Sequence, residues 1–395
     1  MGTVSTNPPV HGSIRLTEEQ ILLRDAVRVL ADDQVAPRAA EIDREGTWPE
    51  DMRRLLADHD ILAIPFAEKH GGLGGDLLTL CLAIEQLSRR CATTGLILAV
   101  QSLGAIPIQV AGSDEQQDRW LPGLASGDKL IAFGLTEADA GSDPSGIRTR
   151  AVRDGDDYVI DGSKRFITHG SVADYVVVFA VTNPEAEKPS RRLSAIVVET
   201  DRPGFKVTRL EHKMGIRGSP TAELAFDGVR VPVGNRLGDE GQGFAIAMQT
   251  FERSRPGIAA QAVGIAQGAI EVAAHYATQR RQFGKPIADL QMIQAMLADM
   301  DAATEAARHL LYTACQEIEA GAPDAARWAA ISKLVAGDAA MRVTTDAVQV
   351  LGGYGYIDEY PVERMMRDAK ITQLYEGTQQ IQRLIVARAL LAGSA

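Results

Sequence analysis

Between about residues 131 and 233 the chain is a succession of short, β-branched apolar runs punctuated by turns, with long helical stretches on either side. No other feature limits the fold as much. Strands that follow one another without helical crossovers pair antiparallel, so the block predicts a small antiparallel barrel or sandwich and argues against a doubly wound parallel sheet. Tyr158-Val159-Ile160 after Asp154-Gly155-Asp156-Asp157 is a hairpin signal. Further strands are expected over residues 165–168, 175–181, 193–199, 205–210, 224–226 and 229–231. The predicted class is α+β, mainly α. It comprises an N-terminal helical domain (1–130), a middle antiparallel β-barrel domain (131–240) and a C-terminal four-helix bundle (241–395).

The flanking helices carry their own signals. Thr17-Glu18-Glu19-Gln20 is a capping box, and Leu22, Ala26, Val29 and Leu30 then fall on one predicted face. A second helix is expected over residues 50–60, ending near Pro65. His70-Gly71-Gly72-Leu73-Gly74-Gly75 is rich in glycine, but no strand precedes it, so it reads as a loop between helices rather than a dinucleotide loop. A helix starts near Asp76, apolar residues dominate 77–87 and 94–110 as in buried helices, and Ser113-Asp114-Glu115 caps another. Later, Leu290, Ile293, Leu297 and Met300 mark one face of a run that stops at Gly321-Ala322-Pro323. Another runs over 325–351 and stops at Gly352-Gly353, and the last follows Thr378.

A net charge of −11 without any basic block argues against nucleic acid as a partner. Cys81, Cys91 and Cys315 stand far apart in sequence without Cys-x-x-Cys spacing, which argues against a zinc site or a disulfide framework and fits a reducing cytoplasm. No His-Glu-x-x-His is present, so no metal is expected. Residues 1–10 are polar, without the apolar centre of a signal peptide, and Gly2 with Thr6 matches a myristoylation pattern only loosely. No membrane span is expected, since no apolar run reads as approaching spanning length.

Leu374-Tyr375-Glu376-Gly377-Thr378 is the stretch with the most chemical content. Glu376 lies between an aromatic ring and a glycine and is followed by a good helix N-cap, which holds a carboxylate outside the helix. An apolar, partly closed setting would raise its pKa and make it a base at neutral pH; a solvated turn carboxylate is the plainer reading of the pentapeptide alone.

Five separated blocks resemble the acyl-CoA dehydrogenase family, over essentially the whole chain. They are Leu135-Thr136-Glu137 through Ala140-Gly141-Ser142-Asp143; Lys213-Met214-Gly215-Ile216-Arg217; Arg280 with Gln282-Phe283-Gly284; Gln349 with Leu351-Gly352-Gly353; and Tyr375-Glu376-Gly377-Thr378. The resemblance implies non-covalent FAD at the junction of the middle domain and the bundle, in a homotetramer whose neighbouring subunit completes each flavin site. Phe133 to Ser142 would run along the flavin, with Leu135 backbone and the Thr136 hydroxyl on the ring edge, and Ser142 facing both flavin and thioester. Phe166, Ile167 and Thr168 would lie against the other side of the ring. Arg280, Gln282, Phe283, Gln291, Gln349, Gly352 and Gly353 would come from the partner subunit toward the adenosine diphosphate half, with Thr378 and Gln380 as the local clamp. An arginine and a helix N-terminus are what a diphosphate needs.

The implied reaction is α,β-dehydrogenation of an acyl-CoA thioester to the trans-2-enoyl-CoA. Glu376 would take the α-proton, flavin N5 would take the β-hydride, and an electron-transferring flavoprotein would receive the electrons. Relatives acting on isovaleryl or long-chain substrates place the base on an earlier helix; the matching position here is Ser254, which leaves Glu376 as the candidate. Glu252, Arg255, Tyr375 and Gly377 are expected near the substrate. Phe166 and His169 stand where a tryptophan and an asparagine are usual, and are read as tuning the flavin's exposure. Two alternatives stay open: an oxidase or monooxygenase on the same fold, and a non-catalytic acyl-CoA-binding or assembly protein. Chain length is open too, although a small Ala99 on the expected pocket floor would permit a deeper pocket.

Overall fold

The computed structural model describes residues 15–392. The polar start and the loose myristoylation pattern lie outside the described residues. Six helices come first: α1 (Glu18–Leu30), α2 (Ala39–Glu45), α3 (Glu50–Asp58), α4 (Leu77–Ser88), α5 (Ala92–Ala111) and α6 (Asp114–Ala125). Their starts obey the local chemistry. Thr17 and Gln20 form the capping box at α1, Asp76 accepts from Thr79 N at α4, and Ser113 with Gln116 forms a second box at α6.

The face of α1 differs from the expectation. Val27 and Leu30 are buried, whereas Leu22 and Val29 are 70% and 59% exposed, because the helix docks through the Gln20–Val27–Leu30 stripe against α4.

The middle domain holds β1 (Ile131–Gly134), β2 (Arg150–Asp154), β3 (Asp157–Thr168), β4 (Tyr175–Val181), β5 (Leu193–Glu199), β6 (Phe205–Leu210), β7 (Thr221–Pro232) and β8 (Arg236–Leu237). The sheet runs β6-β7-β3-β2-β4-β5-β8, with β1 beside β4. Most pairs are antiparallel, including the β2–β3 hairpin, in which Asp154 faces Asp157. Two finer points were not read from the sequence. β1 and β2 each meet β4 in parallel, and no pairing joins β6 to β8 among the described residues, so hydrogen bonds do not close the expected barrel. The runs at 224–226 and 229–231 are one strand, β7, with an irregularity at Gly228, where φ is +62° and the N–H donates to Asp161 Oδ1 at 2.8 Å. A second irregularity, between Lys164 and Ile167, includes Phe166 at φ +58° and turns its ring out of the sheet, leaving it 57% exposed.

The C-terminal part contains α7 (Gly243–Gln279), the short β9 (Arg281–Gln282) and β10 (Lys285–Pro286), then α8 (Gln291–Glu319), α9 (Ala325–Leu351), α10 (Val362–Ala369) and α11 (Gln379–Ala392). Helix α7 packs on α9, α8, α4 and α5 and so joins the N-terminal helices to the bundle in one apolar core. Two further cores cover the two faces of the sheet. Contrary to the reading that no run approaches spanning length, α5 and α7 are long and apolar enough to cross a bilayer. Here 78% and 72% of their apolar windows are buried inside the fold. The cysteines, distant in sequence, are not all distant in space: Cys81 on α4 and Cys315 on α8 are free thiols with sulfurs 3.6 Å apart.

Candidate active site

A cavity of about 1430 Å³ opens where the sheet meets α5, α7 and the segment before α11. It exceeds the ~300–1,000 Å³ typical of a site for one drug-sized ligand. Glu376, Tyr375, Gly377 and Thr378 form part of its wall, and Ser254 and Arg255 reach it from α7.

The Glu376 turn is held in an uncommon backbone shape. Glu376 has φ +56° and Gly377 φ +87°. The glycine is required twice over: the left-handed region disfavours side chains, and a Cβ at 377 would sit 2.8 Å from Gln382 Nε2. Two successive left-handed residues turn both carbonyls into the protein. Gln382 Nε2 donates to Glu376 O at 3.0 Å and to Gly377 O at 2.8 Å. Arg255 Nε donates to Glu376 O at 3.2 Å, and Lys333 Nζ to Gly377 O at 2.8 Å. Thr378 Oγ1 accepts from Ile381 N at 3.4 Å, starting α11.

Burial pushes the Glu376 carboxyl above the ordinary carboxylate range, against opposing pulls from Ser254, Arg255 and Lys333. Ser254 Oγ donates to Glu376 Oε2 at 2.6 Å, so the residue at the alternative base position is bonded to the carboxylate. The Tyr375 ring packs at the edge of the helical core as well as on the cavity, and its hydroxyl donates to Gln261 Oε1.

The sheet supplies another part of the wall. Phe133, Leu135, Thr136, Gly141, Ser142, Phe166, Ile167 and Thr168 all line the cavity. Phe133 is wedged between Phe179 (4.9 Å) and Phe251 (5.5 Å), which ties β1 to α7. A buried pair lies behind Leu135 and Thr136. Lys164 Nζ donates to Glu137 Oε1 at 2.8 Å and to Leu135 O at 3.0 Å, while Glu137 also accepts from Arg148 N (2.7 Å) and Thr149 N (3.0 Å). The pair supports its own charges: Lys164 and the amide donors hold Glu137 below its usual range despite burial, and Glu137 opposes the burial that draws Lys164 down to about 8. His169 is buried with its ring edge-on to Trp48 at 4.7 Å; burial and Lys213 hold it neutral, with its pKa down to about 3.

The remaining predicted residues lie elsewhere. Arg280, Gln282, Phe283, Gly352 and Gly353 line a second cavity of about 530 Å³. A Cβ on either glycine would meet nothing within 4 Å, and Arg280 lies over the Tyr354 ring at 5.3 Å. Gln291 and Gln349 are exposed and line neither cavity. Nor do Glu252, half-buried on α7, and Gln380, exposed on α11. A helical period explains both: Glu252 is two residues from Ser254 and Gln380 one from Ile381, off the faces that meet the cavity.

Sequence reasoning missed Lys333, Gln382, Gln261 and Lys164, which hold the Glu376 turn or the sheet wall. Lys333 had one signal, a lone cation among Ala329, Ala330, Ile331, Leu334 and Val335.

The wall suits a flat, polar-edged ring system. It sets apolar Phe133, Leu135, Phe166 and Ile167 beside the Thr136, Ser142 and Thr168 hydroxyls, none of which has a hydrogen-bond partner in the chain among the described residues.

Comparison with known proteins covers nearly the whole chain. Residues 17–128 match the acyl-CoA dehydrogenase N-terminal domain, 132–229 the middle domain and 241–391 the C-terminal domain. The chain is 50% identical over 377 residues to a cyclohex-1-ene-1-carbonyl-CoA dehydrogenase of Geobacter metallireducens, covering 95% of this chain and 99% of that one. Its fold is similar to butyryl-CoA dehydrogenase from Megasphaera elsdenii (TM-score 0.92, 45% identity, covering 96% and 99% of the two chains). It is equally similar to a chain in a structure described as the electron transferring flavoprotein of Acidaminococcus fermentans (TM-score 0.93, 45% identity, covering 96% and 99%).

Proposed function

The chain belongs to the acyl-CoA dehydrogenase family of oxidoreductases, and on that footing we propose that Glu376 is the base that removes the α-proton of an acyl-CoA thioester bound in the large cavity beside FAD. The observation that carries this reading is a carboxyl on the cavity wall, raised by burial and bonded to Ser254. A base works best when its pKa approaches the operating pH, and burial moves Glu376 that way.

Bound FAD supplies the acceptor for the β-hydride. Thr136, Ser142 and Thr168 would bond its polar edge, while Phe133, Leu135, Phe166 and Ile167 exclude water from its faces. Charge that builds on the thioester oxygen needs a donor in place beforehand. The Glu376 backbone N–H accepts that role in this reading, since no acceptor in the chain engages it among the described residues. A preorganised donor in a dry site is worth roughly 3 kcal/mol. Arg255 and Gln382 hold the carbonyl side of the same residue, and so keep the N–H aimed.

Arg280, Gln282, Phe283, Gly352 and Gly353 would serve the adenosine diphosphate half of FAD in a neighbouring copy. Their separate cavity supports a homotetramer of shared sites. An electron-transferring flavoprotein is the proposed acceptor, supported by family and by similarity to a chain from such a structure. The free thiols suit a reducing compartment such as the cytoplasm. The acyl group packs toward Leu96, Ala99, Val100 and Leu103 of α5, and a panel of graded acyl-CoAs scored by kcat/KM defines its length.

Anaerobic mixing with acyl-CoA tests the assignment. The flavin of the wild-type enzyme should bleach; Glu376→Gln should retain FAD and bind substrate yet lose bleaching by at least about 10³-fold. Bleaching at an undiminished rate in that variant rejects Glu376 as the base.

A further inference from the structure

Lys333 sits in the third turn of α9 and is fully buried. A buried ammonium ordinarily faces a carboxylate. This one has no carboxylate within salt-bridge distance among the described residues; it donates to Gly377 O at 2.8 Å and Gln379 Oε1 at 3.2 Å. The side chain is therefore committed, when protonated, to the peptide carbonyl that follows Glu376. A neutral donor could satisfy one carbonyl at lower desolvation cost, as Gln382 does next to it.

We propose that Lys333 is a positioning residue for the proton transfer: its ammonium locks the left-handed Glu376–Gly377 turn, aims the carboxylate, and holds a positive charge behind it. This rests on the reading of Glu376 as the base. Three elements meet at the turn, each through a different donor: Arg255 from α7, Gln382 from α11 and Lys333 from α9. Glu376 at φ +56° occupies a region that side chains disfavour, so the turn relaxes unless its carbonyls are held.

The charges facing Lys333 are Glu376 from the turn, Arg255 from α7 and Asp338 from its own helix; Gln379 and Gln382 of α11 are neutral. Burial draws the ammonium down to about 7, opposed by Glu376 and Asp338 and assisted by Arg255. Reciprocally, the Lys333 charge favours the ionised form of Glu376. Removing it therefore has two separable effects, a misaimed base and a base that ionises at higher pH.

The test uses FAD-loaded Lys333→Met and Lys333→Gln enzyme, with the bleaching rate followed from pH 5.5 to 9 beside FAD content and melting temperature. K333M should bleach about 10²-fold more slowly at pH 7, the scale of a loss caused by small misplacement. Its acid limb should move to higher pH while KM changes little. K333Q, a donor without charge, should recover part of the rate but keep the displaced limb. An acid limb that stays in place in both variants overturns the proposal, as does a loss confined to melting temperature or FAD content. Where K333M does not fold, K333Q carries the same readout. Glu376→Gln, run in parallel, separates the two failures. If it still bleaches, the base assignment itself is wrong; if it is dead while K333M and K333Q keep the wild-type limb, only the role of Lys333 falls.

Discussion

Replacing Lys164 by methionine measures how firmly the sheet wall of the cavity is held. Lys164 is fully buried and Glu137 nearly so, with 2.8 Å between ammonium and carboxylate. Removing one partner of such a pair leaves an uncompensated charge and costs about 3–5 kcal/mol. Glu137 keeps two amide donors, Arg148 N and Thr149 N, so the lower end, about 3 kcal/mol, applies. At 1.36 kcal/mol per factor of ten, that is roughly 10²-fold in a local opening equilibrium. Hydrogen exchange at the Arg148 and Thr149 amides reads it directly, and both should exchange about 10²-fold faster in K164M. The double variant Lys164→Met with Glu137→Gln removes the stranded charge and should be less destabilised than K164M alone. Acceleration of less than about threefold, or a double variant worse than K164M by the full cost of a second lesion, refutes the reasoning.

Two further outcomes follow from buried groups and from the second cavity. His169 has a folded pKa of about 3 against an ordinary 6.5, so the unfolded chain binds the extra proton between those values. Its contribution to stability is complete above pH 6.5 and is lost as pH falls, by about 3 kcal/mol on reaching pH 4. Denaturant titrations at both pH values should show this acid sensitivity reduced in His169→Asn, and an unchanged difference counts against it. Arg280→Ala should weaken FAD retention by about tenfold or more, measured by ultrafiltration, while the bleaching rate per bound flavin stays the same; full retention removes Arg280 from the diphosphate site.

Local chemistry was legible where one residue decides an outcome. The box at Thr17, the cap at Ser113, the helix start near Asp76, the stop at Gly352 and the bounds of β4, β5 and β6 all follow from neighbours in sequence. The docking side of α1 was not, because Leu22 and Val29 are as apolar as Val27, and only the position of α4 decides which of them is covered. Gly228 looked like a break between strands, whereas Asp161 bonds its N–H and carries β7 through. In the site, Glu376 could be read from its own pentapeptide and the family resemblance. Lys333 could not be assigned, since 43 intervening residues separate it from the carbonyl of Gly377 that it bonds. Glu252 and Gln380 differ in the opposite way: they neighbour cavity-lining residues in sequence but not around the helix, so neither cavity includes them.

The 2.6 Å contact between Ser254 and Glu376 bears on how such enzymes diversify. Two stems, one in the long helix and one in the turn before the last, converge on a single point of the cleft. A carboxylate could be grafted onto either stem and deliver its oxygens to nearly the same place, provided that the other stem carries something short. On the proposal that Glu376 is the base, migration of the proton acceptor along the chain is then a small step in space, open to a pair of substitutions with no rebuilding of the surrounding scaffold.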